Sequence, residues 1–208
     1  MLVPVALAIF CSRMDEVPME VNYLVINLTL ASVAAYIQCA LIAEEKEKNT
    51  LRGLMLSPAT IPEILSGKTL VTLLITIITI LLCMTFTGYQ PANMTLISAA
   101  VLLSAIFYVI FGTMLGMLIR SVVDASVLLL PIILVFGFGN MMTPMIEMYP
   151  FLSFLEYLPS FQLLELAVKV EEGKGFSGVY LEFLVIGVWF LLTVFLTVLV
   201  YKKREVDN

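Results

Sequence analysis

The residues with the most obvious capacity for chemistry are five consecutive charges, Glu44-Glu45-Lys46-Glu47-Lys48. Carboxylate and ammonium groups three and four residues apart pair along one helix face, so this run reads as a solvated helical extension. The sequence holds no histidine, and its three cysteines, Cys11, Cys39 and Cys83, stand alone inside apolar stretches. A zinc site and a His-based catalytic dyad are thereby excluded, and the cysteines read as small buried hydrophobes. Gly67-Lys68-Thr69 ends like a phosphate-binding loop, but Pro62 stands where such a loop needs its first glycine, and no strand precedes it. ATP binding by this chain is not expected, nor is a metal. No nucleophile–base constellation points to an enzyme.

A second set of polar residues lies inside apolar runs. Thr69, Thr72, Thr76, Thr79, Cys83 and Thr87 recur at alternating steps of three and four, forming one stripe along a helix. Threonine can bond back to its own helix, and small residues let helices approach closely, so packing is favoured over the lining of a path. Gly112 and Gly116 make a second close-packing signal. Asn22, Asn27 and Gln38 are costly to leave in lipid and should face protein or a cavity. Glu182 is expected near the end of the last span, reaching water, with no partner evident for a proton relay.

The elements that must position these residues are membrane spans. Of 208 residues, 61% are hydrophobic and only 13% charged, about half the charge of a soluble domain. A chain this small cannot hide so much apolar surface within itself, whereas a bilayer absorbs it in runs of about 20 residues. The sequence therefore predicts an all-α integral membrane protein, a single domain over residues 1–208 with about six spans. These fall at about 1–12, 21–43, 69–87, 94–119, 126–142 and 180–201. The first run is short and lacks a signal peptide's basic start and cleavage site, so it reads as the outer part of a span whose cytoplasmic start is missing or very short. Gly88 to Asn93 forms a tight turn. Residues 143–179, broken by Pro144, Pro150 and Pro159 yet rich in aromatics, read as short interfacial or re-entrant helices on the outer side.

Lys and Arg in the loops set the orientation. Eight of the eleven (Lys46, Lys48, Arg52, Lys68, Arg120, Lys202, Lys203, Arg204) fall on one side, and three (Arg13, Lys169, Lys174) on the other. The first side, with both termini, is expected in the cytoplasm. The net charge of -5 and the lack of a basic aromatic patch argue against a nucleic-acid partner.

The loop over 44–68 is the most informative segment. Thr50 to Leu56 can form an amphipathic turn with Leu51, Leu54 and Met55 on one face, stopped at Ser57-Pro58. Thr60-Ile61-Pro62-Glu63 then reads as a capping box opening a new helix. Two helices broken at the membrane surface make an elbow suited to docking a partner, although a plain solvated loop satisfies the same pattern.

The run from Glu44 through Lys48, then Thr50-Leu51, Leu54, Ser57-Pro58, Glu63 and Gly67-Lys68, resembles the E-K-E-x-G-T-L…L…S-P…E…G-K signature of type-2 ABC exporter permeases. Asn49 stands where that family usually has Gly, a mild change because Asn tolerates turn geometry. The helix that usually precedes the first span in that family has no counterpart here. The resemblance implies a homodimeric permease in the plasma membrane of a bacterium or archaeon, surrounded by lipid and driven by separate cytoplasmic ATPase subunits that hold ATP and Mg. It also implies a coupling role for Glu44, Glu47, Lys48, Thr50, Leu51, Arg52, Leu54, Met55, Ser57, Pro58 and Glu63. Path lining or helix packing falls to Thr72, Thr76, Thr79, Asn27 and Gln38. A secondary carrier or membrane scaffold remains the alternative. A carrier, however, normally shows mid-membrane charges and repeated halves, which this chain lacks.

Overall fold

A computed structural model describes residues 2–14, 16–48 and 61–206, with side chains described throughout except at 61–65, 144, 147 and 204–206. The described residues are built from helices, and their order follows the apolar runs. α1 spans Leu2–Cys11. α2 spans Met19–Glu47 as one continuous rod, with a π-helical stretch at Leu30–Ala35 in its middle. α3 covers Ile61–Thr87, α4 Met94–Leu118 and α5 Val122–Gly137. A short 3-10 segment, Gly139–Met142, leads into α6 (Thr143–Met148) and a second 3-10 segment, Pro150–Tyr157. α7 (Pro159–Glu171) and α8 (Phe176–Val206) complete the fold.

Four helical stretches are long and apolar enough to cross a bilayer: α2, Ser66–Thr87 within α3, α4, and Phe176–Lys203 within α8. α1 and α5 are apolar but shorter, with 10 and 16 residues. At 1.5 Å per residue α5 reaches only about 24 Å, less than the roughly 30 Å of hydrocarbon. The six expected runs thus correspond to four long helices and two short ones. The fifth starts four residues earlier than the sequence suggested, because Ser121 caps it by accepting the Asp124 amide N–H at 3.1 Å. Asn93 caps α4 in the same way, accepting from Leu96 N–H at 3.2 Å. The turn between α3 and α4 pivots on Gly88 at φ +69°, a left-handed conformation that glycine adopts freely.

The proline-broken stretch before the last helix is a bent pair. Pro150–Tyr157 and Pro159–Glu171 meet at 76°, so the segment is no straight span. It is pinned at several points. Trp189 Nε1 of α8 donates to Tyr157 O at 2.7 Å, and Asn27 Nδ2 of α2 donates to Ser160 O at 3.0 Å. Leu163, Leu166, Ala167 and Val170 of α7 are buried against the bundle.

α2 is the central element. In its most apolar stretch 72% of residues are buried, against 28% for α3 and 11% for α8. The peripheral helices carry broad exposed apolar faces, such as Leu181, Leu184, Val188, Leu191 and Phe195 on α8. In water that exposure would be untenable; in a bilayer it is the expected outer face. The core is closed by Tyr23, Ile26 and Leu30 of α2 against Phe107, Tyr108 and Val109 of α4. Close approach of these two helices depends on glycine. A Cβ on Gly112 would collide with the Ala35 carbonyl oxygen, and one on Gly116 would lie 2.9 Å from Cys39 O. Residues 35 and 39, like 112 and 116, are four apart, so two small-residue ridges meet.

Candidate functional site

Three polar constellations are ordered in this bundle. The first is the charge run at the end of α2. Glu44 pairs with Lys48 at 2.5 Å on the exposed side, where the carboxylate raises the Lys48 pKa above its ordinary value by hydrogen bonding. The inward-facing members reach other helices. Glu45, largely buried, forms an ion pair with Lys68 of α3. Lys46 Nζ donates to the carbonyls of Gly116 at 3.3 Å, Met117 at 2.8 Å and Ile119. Glu47 Oε2 accepts the amide N–H of Val122 at 3.0 Å. Seven residues assigned to coupling by resemblance (Thr50, Leu51, Arg52, Leu54, Met55, Ser57 and Pro58) lie outside the described residues, which resume at Ile61. Glu63 sits in the first turn of α3, its side chain outside the description.

The second constellation is a neutral node among α2, α3 and α4. Gln38 is fully buried, and its Nε2 donates to Thr69 Oγ1 and Thr113 Oγ1, each at 3.1 Å. Its Oε1 accepts from Thr72 Oγ1 at 2.6 Å. Farther along the same stripe, Thr76 and Thr79 are buried and bond back to the carbonyls of Thr72 and Ile75, at 2.7 and 2.8 Å. Asn27 lies elsewhere on α2, fully buried, and donates to Ser160 O of α7 at 3.0 Å. The stripe therefore divides. Thr72 and Thr69 serve a hydrogen-bonded node, while Thr76 and Thr79 satisfy themselves within their own helix.

The third constellation departs from the sequence reading. Glu182 does not reach water: it is only 3% exposed, and its Oε1 accepts from Lys169 Nζ of α7 at 2.5 Å. Lys169 also pairs with Glu165 at 2.9 Å, four residues back on its own helix. The left-handed turn at Gly173, φ +82°, folds α8 back beside α7 and brings residues 169 and 182 together. Thirteen positions separate them in the chain, so no periodicity within one helix announces the pair. Nearby, Glu171 accepts from Tyr89 OH at 3.3 Å and from Ala92 N–H at 3.1 Å, tying α7 to the turn before α4.

What these groups do is hold helices together by hydrogen bonds and ion pairs. Among the described residues no cluster of His, Cys, Asp or Glu could hold a metal, and the three cysteines are buried apart from one another. The arrangement is that of a helical bundle whose ionised groups gather at its two ends. The buried node that Gln38 forms among three helices carries no charge.

Comparison with known proteins adds the remaining finding. The chain matches the family model described as ABC-2 family transporter protein over residues 19–199. No curated protein and no solved structure matches it.

Proposed function

This chain belongs to the ABC-2 transporter family, and on that premise we propose that it is the membrane-spanning permease subunit of an ATP-driven exporter. A second copy of the chain completes the translocation path, and separate cytoplasmic subunits bind ATP and Mg and hydrolyse the nucleotide. The end of the bundle that carries Glu44 to Lys48 faces the cytoplasm, as do both termini, in the plasma membrane of a bacterial or archaeal cell. The exposed apolar faces of α3 and α8 supply area for lipid and for the second copy.

The observation that carries the proposal is the build of the α2 terminus. A run of ionised residues, rooted in the bundle by its inward members, immediately precedes the segment that bears Leu51, Leu54 and Met55. A surface loop with no mechanical task has no need of such rooting. In this reading Leu51, Leu54 and Met55 insert into a cleft on the ATPase. Glu47, Lys48 and Arg52 stand at the edge, where charge governs encounter and register more than affinity.

The test is Leu54→Asp, followed by co-purification with the ATPase. An unpaired charge forced into that contact costs several kcal/mol, enough to weaken association by roughly a hundredfold or more. Wild-type chain is expected to carry an ATP-hydrolysing subunit through purification, and the variant, at normal membrane level, to lose it together with transport. Retained ATPase would remove the docking role from Leu54. Transport that persists without any ATPase would return the chain to the carrier reading.

A further inference from the structure

Three consecutive side chains at the end of α2 each bind a different helix, which continuity of the chain alone does not require. Glu45 pairs with Lys68 of α3. Lys46 donates to the carbonyls of Gly116, Met117 and Ile119, where α4 ends. Glu47 accepts the Val122 amide N–H, where α5 begins. Successive residues on an α-helix point about 100° apart, so three in a row sweep most of its circumference. The signs match their targets. The last carbonyls of a helix carry partial negative charge and its first amides partial positive charge. Lys46 meets the former and Glu47 the latter. Only residues 119–121 separate α4 from α5, so this dipeptide bridges both sides of the break.

We propose that Glu45, Lys46 and Glu47 act as a distributor: displacement of the segment after α2 is delivered to α3, α4 and α5 together. Residues 49–60 are covalently joined only to α2 and α3; Gly112, Gly116 and the Gln38–Thr113 bond connect α2 with α4 deeper in the bundle, and the distributor adds a connection at the helix ends, where the displacement arrives. With it, two helices that have no chain connection to the segment receive the same displacement. Lys46 is the positioning residue at the centre, because its ammonium reaches three carbonyls at the end of α4. The inference rests on the permease reading, since it needs an ATPase as the source of the push.

The experiment compares wild type, Lys46→Met, Lys46→Arg and a charge-matched control at the opposite end of the bundle, Lys174→Met. Hydrogen exchange is measured in lipid nanodiscs, first on the permease alone and then on its complex with the ATPase, before and after trapping with ADP and vanadate. In the permease alone, Lys46→Met is expected to speed exchange around residues 117–123 by roughly tenfold, the consequence of losing charge-assisted bonds. In the complex, trapping is expected to alter protection in α2 to α5 of wild type, Lys46→Arg and Lys174→Met. In Lys46→Met the response should persist in α2, in α3 and, through Glu47, at the start of α5, and fall in α4, most of all around residues 117–119. Should Lys46→Met fail to reach the membrane, Glu47→Met tests the α5 branch, with the response expected to fall in α5 alone. A vanadate response around residues 117–119 of Lys46→Met equal to that of wild type, with ATPase bound, overturns the distributor and leaves the permease reading intact. Wild-type chain that purifies with no ATPase withdraws both.

Discussion

Replacing Gln38 by Leu removes the polar node without leaving a large hole, because the two side chains are similar in size. Three hydrogen bonds go: those to Thr69 and Thr113 and the one from Thr72. Side-chain hydrogen bonds between helices in a membrane average about 0.6 kcal/mol, so the loss sums to about 2 kcal/mol, a factor of roughly thirty in the folding equilibrium. Stranded partners add little. Thr113 already donates to Val109 O at 2.9 Å, and Thr72 is free to turn back on its own helix as Thr76 does. No hydrophobic gain offsets the loss, since lipid is as apolar as Leu. The assay is reversible unfolding in mixed detergent micelles, followed by circular dichroism, on wild type and Gln38→Leu. Stability equal to that of wild type would show that the node contributes nothing. A loss beyond about 5 kcal/mol would show that the variant perturbs more than these three bonds.

Three further outcomes follow from the geometry. Gly112→Ala should destabilise by about 1–3 kcal/mol in the same assay, because its Cβ meets backbone that cannot rotate away, whereas Gly187→Ala, with nothing within 4 Å, should be neutral or stabilising. Lys169→Met should cost more than Glu182→Gln: the first leaves a carboxylate only 3% exposed without its cation, at about 3–5 kcal/mol, while the second leaves Lys169 its bond to Glu165. The reverse order would mean that the Lys169 cation is not what holds the Glu182 side chain in the bundle. In a background without Cys11, Cys39 and Cys83, an impermeant thiol reagent added outside intact cells should label Glu172→Cys and spare Lys48→Cys and Lys203→Cys. Labelling at position 48 would invert the topology.

The long helices were legible because the bilayer demands long apolar runs and the chain punctuates them with Gly88, Pro91 and blocks of charge. The bent segment was legible from Pro150 and Pro159, which no straight helix tolerates together with its neighbours. What the sequence concealed was pairing at a distance. Lys46 looked like one more member of a solvated helix, since nothing local says that the end of α4 passes beside it. Glu182 looked like a residue reaching for water because its cation lies on another helix, across a turn. The threonine stripe was visible as a stripe, but its division between Gln38 and self-satisfied hydroxyls depends on which turn of α2 it faces. The π-helical stretch had no local signature, for Leu30-Ala31-Ser32-Val33-Ala34-Ala35 suits an ordinary α-helix as well.

That stretch has a consequence for how the protein tolerates change in length. A π turn accommodates one residue beyond the regular helical count without breaking the rod. The two halves of α2 are therefore phased independently: the first presents Asn27 to α7, the second Gln38 to α3 and α4. A single-residue deletion within 30–35 would be absorbed as a return to regular α-helix with both faces kept, whereas a deletion at 28 or 29, in the regular turn before it, would turn one half against the other by about 100°. Gln38 would be carried off its three threonines, and Ala35 off Gly112. Outside the π stretch an insertion or deletion in this helix is a change of angle, and only within 30–35 is the length of the span separable from the direction its ends face.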